Sequence, residues 1–134
     1  MTMPIVISGA GSGIGRSIAQ TLAERGYTLI LLGRNLENLE STKNLLKNPG
    51  QHQCQPCDIR NSGEIRQALA NVSSLYGLIA NAGIGGENQY GDQDRWQEII
   101  DTNLTGTYQT IQECLPLIKK NPAPFKKIII ISSI

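Results

Sequence analysis

The opening of the chain narrows the choice of fold more than any other feature. Pro4-Ile5-Val6-Ile7-Ser8 is an apolar run that ends in a glycine cluster, Gly9-Ala10-Gly11-Ser12-Gly13-Ile14-Gly15. Past the cluster Ile14, Ile18, Leu22 and Ala23 recur at helical spacing. A run that is apolar without alternation suits a strand buried on both faces. Glycines let the backbone turn sharply straight into a helix, which Arg25-Gly26 then stops.

The same alternation continues. Tyr27 to Leu32 is a second apolar run, closed by Gly33-Arg34-Asn35, where Asn35 caps a helix carrying Leu36, Leu39 and Leu46. Asn48-Pro49-Gly50 ends that helix, and Gln51 to Ile59 is a weaker third strand. Asn61 and Ser62 offer caps for a helix with Ile65, Leu69 and Val72, followed by a strand from Leu75 to Ala80. Gly85 to Gln93 is a loop, Asp94 to Lys120 a long helix, and Lys127 to Ser133 a fifth strand. Strand–helix alternation predicts an α/β fold with a doubly wound parallel sheet, Rossmann-like, helices on both faces and right-handed crossovers. Ile128 to Ile131 is apolar at every position and lies next to the chain end. Such a strand needs cover on both faces and a closed edge. The expectation is therefore one domain over residues 1–134, the N-terminal part of a longer fold and incomplete at its C-terminal side.

Composition removes several functions. With 12 Lys+Arg against 11 Asp+Glu there is no basic field for a nucleic-acid backbone. No apolar run approaches the roughly 18 residues of a membrane span. Met1-Thr2-Met3-Pro4 enters the first strand without the basic region and cleavage site of a secretory leader. Three cysteines are too few for a disulfide scaffold, which points to a cytoplasmic protein.

The glycine turn follows G-x-x-x-G-x-G on Gly9, Gly13 and Gly15, at the first strand–helix junction. Free N–H groups at such a helix start suit an anion, and a dinucleotide pyrophosphate is the usual occupant. Here the chain resembles the classical short-chain dehydrogenases/reductases, whose motif is T-G-x-x-x-G-x-G, with Ser8 in place of the Thr. Cys57-Asp58-Ile59 is similar to the family's segment after the third strand, whose aspartate contacts the adenine ring. Ala80-Asn81-Ala82-Gly83 is similar to its N-N-A-G, and Ile128 to Ser133 to the strand carrying its catalytic serine. The resemblance implies a cofactor site on Gly9, Ser12, Gly13, Ile14, Gly15, Asp58, Ile59, Asn81, Ala82 and Gly83.

An acid about 20 residues past the glycines holds the NAD ribose, whereas an Arg accommodates a 2′-phosphate. Gly33-Arg34-Asn35 has no acid there, and Arg34 can give two charge-assisted hydrogen bonds to a phosphate. NADP(H) is the preferred cofactor, with NAD(H) as the alternative. Ser12 stands where NADP-binding relatives carry a second basic residue.

Trp96, Ile99, Ile100, Leu104, Thr107, Tyr108, Ile111, Leu115 and Ile118 form a stripe of period 3.6 along the long helix, and Asn103 falls inside it. A buried amide must find partners, either a neighbouring backbone group or something functional. The resemblance makes Asn103 the family's catalytic asparagine, which helps hold a water in the proton relay. It makes Ser133 the serine that hydrogen-bonds the substrate oxygen. The family's Tyr-x-x-x-Lys is absent from these 134 residues. Two functions stay open: an oxidoreductase interconverting a carbonyl and an alcohol on a small molecule, or a nucleotide-binding module without catalysis. The family commonly pairs subunits through this helix, implying a homodimer or homotetramer. Cys54-Gln55-Pro56-Cys57 lies inside a predicted strand, where thiol redox chemistry has no helix N-terminus to draw on, and no second pair completes a metal site. Cys114 is expected in the core and His52 on a strand surface.

Overall fold

The computed structural model describes residues 3–84 and 94–132. Five parallel strands, β1 (Pro4–Ser8), β2 (Thr28–Gly33), β3 (Gln53–Pro56), β4 (Gly77–Ala80) and β5 (Lys127–Ile130), stand in the order β3-β2-β1-β4-β5. Helices α1 (Gly13–Glu24), α2 (Leu36–Asn44), α3 (Ser62–Ala68), α4 (Trp96–Ile100) and α5 (Thr107–Lys120) complete the doubly wound fold. The predicted loop over 85–93 lies outside the described residues.

Alternation along β1 sorts the core into two layers. Ile5 and Ile7 join Leu29, Leu31, Leu39, Ala19 and Ala23 under α1 and α2. Val6 joins Ile30, Leu32, Leu78, Ile65 and Ile118 under α3 and α5. The predicted caps form: Asn35 Oδ1 accepts from the Asn38 N–H at 3.0 Å and Asn61 Oδ1 from the Glu64 N–H at 3.2 Å. Gly26, with φ 92°, closes α1 as expected.

Four readings change. Ile14 (62% exposed) and Leu36 (48%) point outward; α1 buries Gly15, Ala19 and the expected Ala23, with the expected Ile18 and Leu22 partly buried against the same layer. The long helix is not uniform, because from Asp101 to Gly106 it widens into a π-type turn. Its buried side is Thr102, Gly106, Thr110, Cys114 and Ile118, spaced by four, while Trp96, Leu104 and Tyr108 are exposed. Small side chains line this side where the approach to the segment after β3 is close: a Cβ on Gly106 would lie 2.9 Å from Ile59 Cδ1. His52 is buried rather than on the surface, its Nδ1 accepting from the Leu29 N–H at 3.1 Å and its Nε2 facing the Lys47 carbonyl at 2.8 Å. That pairing assigns the ring proton to Nε2 and ties the start of β2 to the segment after α2.

Cys54 packs with the α1/α2 layer and Cys57 with the other, since a spacing of three puts them on opposite faces. Burial pushes both thiols up to about 11 and that of Cys114, which is in the core as expected, up to about 12. Among the described residues no group of His, Cys, Asp and Glu could hold a metal, and no helix is long and apolar enough to cross a membrane.

Candidate cofactor site

The glycine turn is built on close backbone contact. Gly9 (φ 64°) and Gly13 (φ 52°) take left-handed backbone that glycine adopts without strain. A Cβ on Gly15 would collide with the Gly9 carbonyl oxygen and stand 2.7 Å from Asn81 Nδ2. A Cβ on Gly9 would lie 2.8 Å from Ala82 Cα. Ser8 explains why a hydroxyl ends β1. Its buried Oγ accepts from the N–H groups of both Asn81 and Ala82 at 3.0 Å, and Asn81 Nδ2 donates to the Gly9 carbonyl at 3.2 Å. The turn is thereby locked to the end of β4. At the start of α1 the Ser12 side chain makes no cap and the first turn carries no acid. Its N–H groups and positive dipole end are left for an anion.

A cleft of about 240 Å³ opens where β1 hands over from β2 to β4, outside the carboxyl ends of the strands. That reversal of strand order is where doubly wound sheets bind ligands. Of the predicted residues, Gly9, Ser12 and Arg34 line the cleft, as do Asp58, Ile59, Ala82 and Gly83. Gly15 and Asn81 stand behind the turn, and Gly13 and Ile14 flank a shallow hollow on the outer side of α1. Ser133 lies outside the described residues. The cleft is also lined by residues not assigned to the site from the sequence: Gly11, Gly33, Asn38, Cys57, Ile84 and Thr102. Only their closeness in space unites them; Asn38 is one turn into α2, and no local pattern marks it.

Arg60 grips Asp58, with Nε 3.0 and 3.1 Å from the two carboxylate oxygens and a terminal nitrogen 2.6 Å from Oδ2. These bonds hold the carboxyl below its usual range, with a smaller contribution from the charge of Arg34. Arg34 itself is exposed and has no hydrogen bond or ion pair with another described residue. Asn103 sits in the π-type turn, exposed. Its amide pairs with the backbone of Ile84, Oδ1 accepting and Nδ2 donating, both at 2.8 Å. The neighbouring-backbone alternative thus accounts for one bonding position on each side of the amide. One position on each remains. Thr102 Oγ1 is buried at the cleft without a partner among the described residues.

A parallel doubly wound sheet with a glycine turn at its switch point is the architecture on which dinucleotide sites are built. The chain belongs to the short chain dehydrogenase family, which it matches over residues 4–134. It is 35% identical over 117 residues to an uncharacterized oxidoreductase of Staphylococcus aureus (strain MW2), covering 83% of this chain and 50% of the relative. It is similar to the crystal structure of a 3-ketoacyl-ACP reductase from Sinorhizobium meliloti 1021 (TM-score 0.86, 32% identity, 97% of this chain and 53% of that one). An actinorhodin polyketide ketoreductase variant solved with NADPH matches at TM-score 0.86 and 27% identity, over 98% of this chain and 53% of that one. The chain spans about half the length of the relatives it matches. The family's nicotinamide dinucleotide fits the residues present. The cradle around Gly9 and Gly15 is one that a Cβ would fill, and the helix start above it carries no competing acid.

Proposed function

We propose that the chain is the cofactor-binding, N-terminal part of an NADP(H)-preferring oxidoreductase that interconverts a carbonyl and an alcohol on a small molecule. The observation that carries the NADP(H) preference is Arg34, without a partner among the described residues on the cleft wall directly after Gly33, where an NAD-binding site would hold an acid. Backbone N–H groups around Gly9, Ser12, Gly13, Ile14 and Gly15 would hold the pyrophosphate and Arg34 the 2′-phosphate. Asp58, kept ionised by Arg60, would accept from the adenine amino group, with Ile59 beside it. Asn81, Ala82 and Gly83 would carry the middle of the molecule. The bound nicotinamide would supply or accept hydride at the carbonyl carbon. Ser133 would hydrogen-bond the substrate oxygen, steadying the charge that grows there. Asn103 would keep one acceptor and one donor position for a relay water. The proton donor would come from outside these 134 residues, which hold no Tyr-x-x-x-Lys. A nucleotide-binding module without turnover is the second reading.

The exposed side chains of Trp96, Leu104 and Tyr108 support pairing of this helix in a homodimer or homotetramer. Three cysteines, too few for a disulfide scaffold, support a reducing, cytoplasmic setting. The test is fluorescence titration with NADPH and NADH, with carbonyl-reductase assays of the full-length protein. NADPH should bind more tightly. Arg34→Gln should weaken NADPH about 10- to 100-fold, the worth of a charge-assisted phosphate contact, and leave NADH unchanged. Tighter NADH overturns the NADP(H) preference, and binding without turnover leaves the non-catalytic module.

A further inference from the structure

The side of the glycine turn that faces away from the cleft is held by two side chains, Arg16 in α1 and Thr42 in α2. Thr42 is fully buried, and its Oγ1 donates to the Ala10 carbonyl at 2.8 Å. The same oxygen accepts from Arg16 Nε at 2.9 Å. A terminal nitrogen of Arg16 donates to the Gly11 carbonyl at 2.7 Å and reaches the Asn38 carbonyl at 3.4 Å. Two consecutive turn carbonyls are thus drawn toward α2. In a planar trans peptide the N–H points opposite to the C=O. Holding the carbonyls of Ala10 and Gly11 therefore aims the N–H groups of Gly11 and Ser12 the other way, and both residues line the cleft. Neither N–H has a partner among the described residues.

We infer that Arg16 and Thr42 are positioning residues, a brace that presents the Gly11 and Ser12 N–H groups to the cofactor pyrophosphate and fixes their distance from Arg34. The second half follows from what the brace joins. Thr42 and Asn38 belong to α2, whose capped start follows Arg34 directly. Turn and helix are in contact at Gly11, where a Cβ would lie 3.0 Å from Asn38 Cβ. A guanidinium fork suits three acceptors at once; an ammonium on a flexible stem reaches fewer of them in fixed geometry.

This inference rests on the dinucleotide reading, and one experiment on the full-length protein separates the two. Dissociation constants for NADPH and NADH are measured for wild type, Thr42→Val, Thr42→Ser, Arg16→Met and Arg16→Lys, with the melting temperature of each ligand-free protein. Thr42→Val keeps the shape and removes the hydroxyl; Thr42→Ser keeps the hydroxyl. Thr42→Val and Arg16→Met should weaken NADPH about tenfold or more, the loss expected for one charge-assisted bond. The NADPH-over-NADH preference should fall, because Arg34 shifts relative to the turn. Thr42→Ser should match wild type and Arg16→Lys should lie between. A lower melting temperature with dissociation constants and preference unchanged overturns the brace and leaves the cofactor reading standing. A wild type that binds neither dinucleotide overturns both. If Arg16→Met does not fold, the Thr42→Val and Thr42→Ser pair decides.

Discussion

β1 and β5 are both parallel neighbours of β4 and both read as unbroken apolar runs, yet they end up in opposite situations. In β1 Val6 and Ile7 are fully buried, with a strand on each side and helices on both faces. In β5 Ile129 and Ile130 are 44% and 53% exposed at the edge of the sheet, and of its residues only Ile128 packs against the core. An apolar run states what a strand requires on its two faces and says nothing of which neighbours supply it. The contrast matters for the proposed function, because the glycine turn is mounted on β1. Ser8, the last residue of that buried strand, holds both the turn and the end of β4.

The largest effect should come from loading the turn that β1 carries. Gly15→Ala drives a methyl into the Gly9 carbonyl, where only backbone can give way. We expect a loss of about 3 kcal/mol or more in urea unfolding, at or beyond the usual overpacking range, together with loss of dinucleotide binding. Gly13→Ala is the control: nothing lies within 4 Å of its Cβ position, so only the left-handed φ of 52° is penalised, by about 1–2 kcal/mol. Equal losses at the two positions would mean that β1 does not hold the turn as tightly as the contacts imply.

Next in size is the contrast between the strands themselves. Ile7→Ala should cost about 2–5 kcal/mol, as a fully buried aliphatic truncation does. Ile130→Thr in the same 134-residue chain should stay within about 0.5 kcal/mol, as an exposed substitution does. Denaturant midpoints measured side by side check this, and a large loss at Ile130 would show that β5 is covered in solution.

What could be read in advance divides along the same line. The alternation of strands and helices, the stops and the caps at Asn35 and Asn61 were legible because each depends on a few adjacent residues. So was the turn itself. The inward side of the long helix was not, because it has two apolar faces. Ile111 and Ile118 of the expected stripe do pack inward, but close approach of Gly106 to Ile59 favours Thr102, Thr110 and Cys114 over Trp96, Leu104 and Tyr108. His52 was misjudged for a related reason: its partners are backbone groups of Leu29 and Lys47, which no side-chain pattern reveals. The brace of Arg16 and Thr42 spans 26 residues of sequence and also acts on carbonyls.

The opposite edge of the sheet sharpens the comparison at the smallest scale. β3 is an edge strand like β5, but it carries Gln53, Gln55 and Pro56, so it needs no apolar cover. The segment beyond it buries Cys57 and Ile59 in the core and carries an ion pair on its outer side, the grip of Arg60 on Asp58. Those hydrogen bonds hold the Asp58 carboxyl below the ordinary value of about 3.9. A carboxyl depressed in the folded state contributes stability above the unfolded pKa and loses it as pH falls through the folded one. The stability difference between wild type and Arg60→Gln should therefore be constant near neutrality and shrink below about pH 4. It should be the smallest of the three effects because the pair is solvent-exposed. An NMR titration of the Asp58 carboxyl carbon reads the cause directly. Its midpoint should move up in Arg60→Gln and by less in Arg34→Gln, since Arg34 acts through charge alone. Superimposable titrations in wild type and Arg60→Gln would mean that the pair does not persist in water. This edge would then be held by β2 and α2, as β1 is held, through burial.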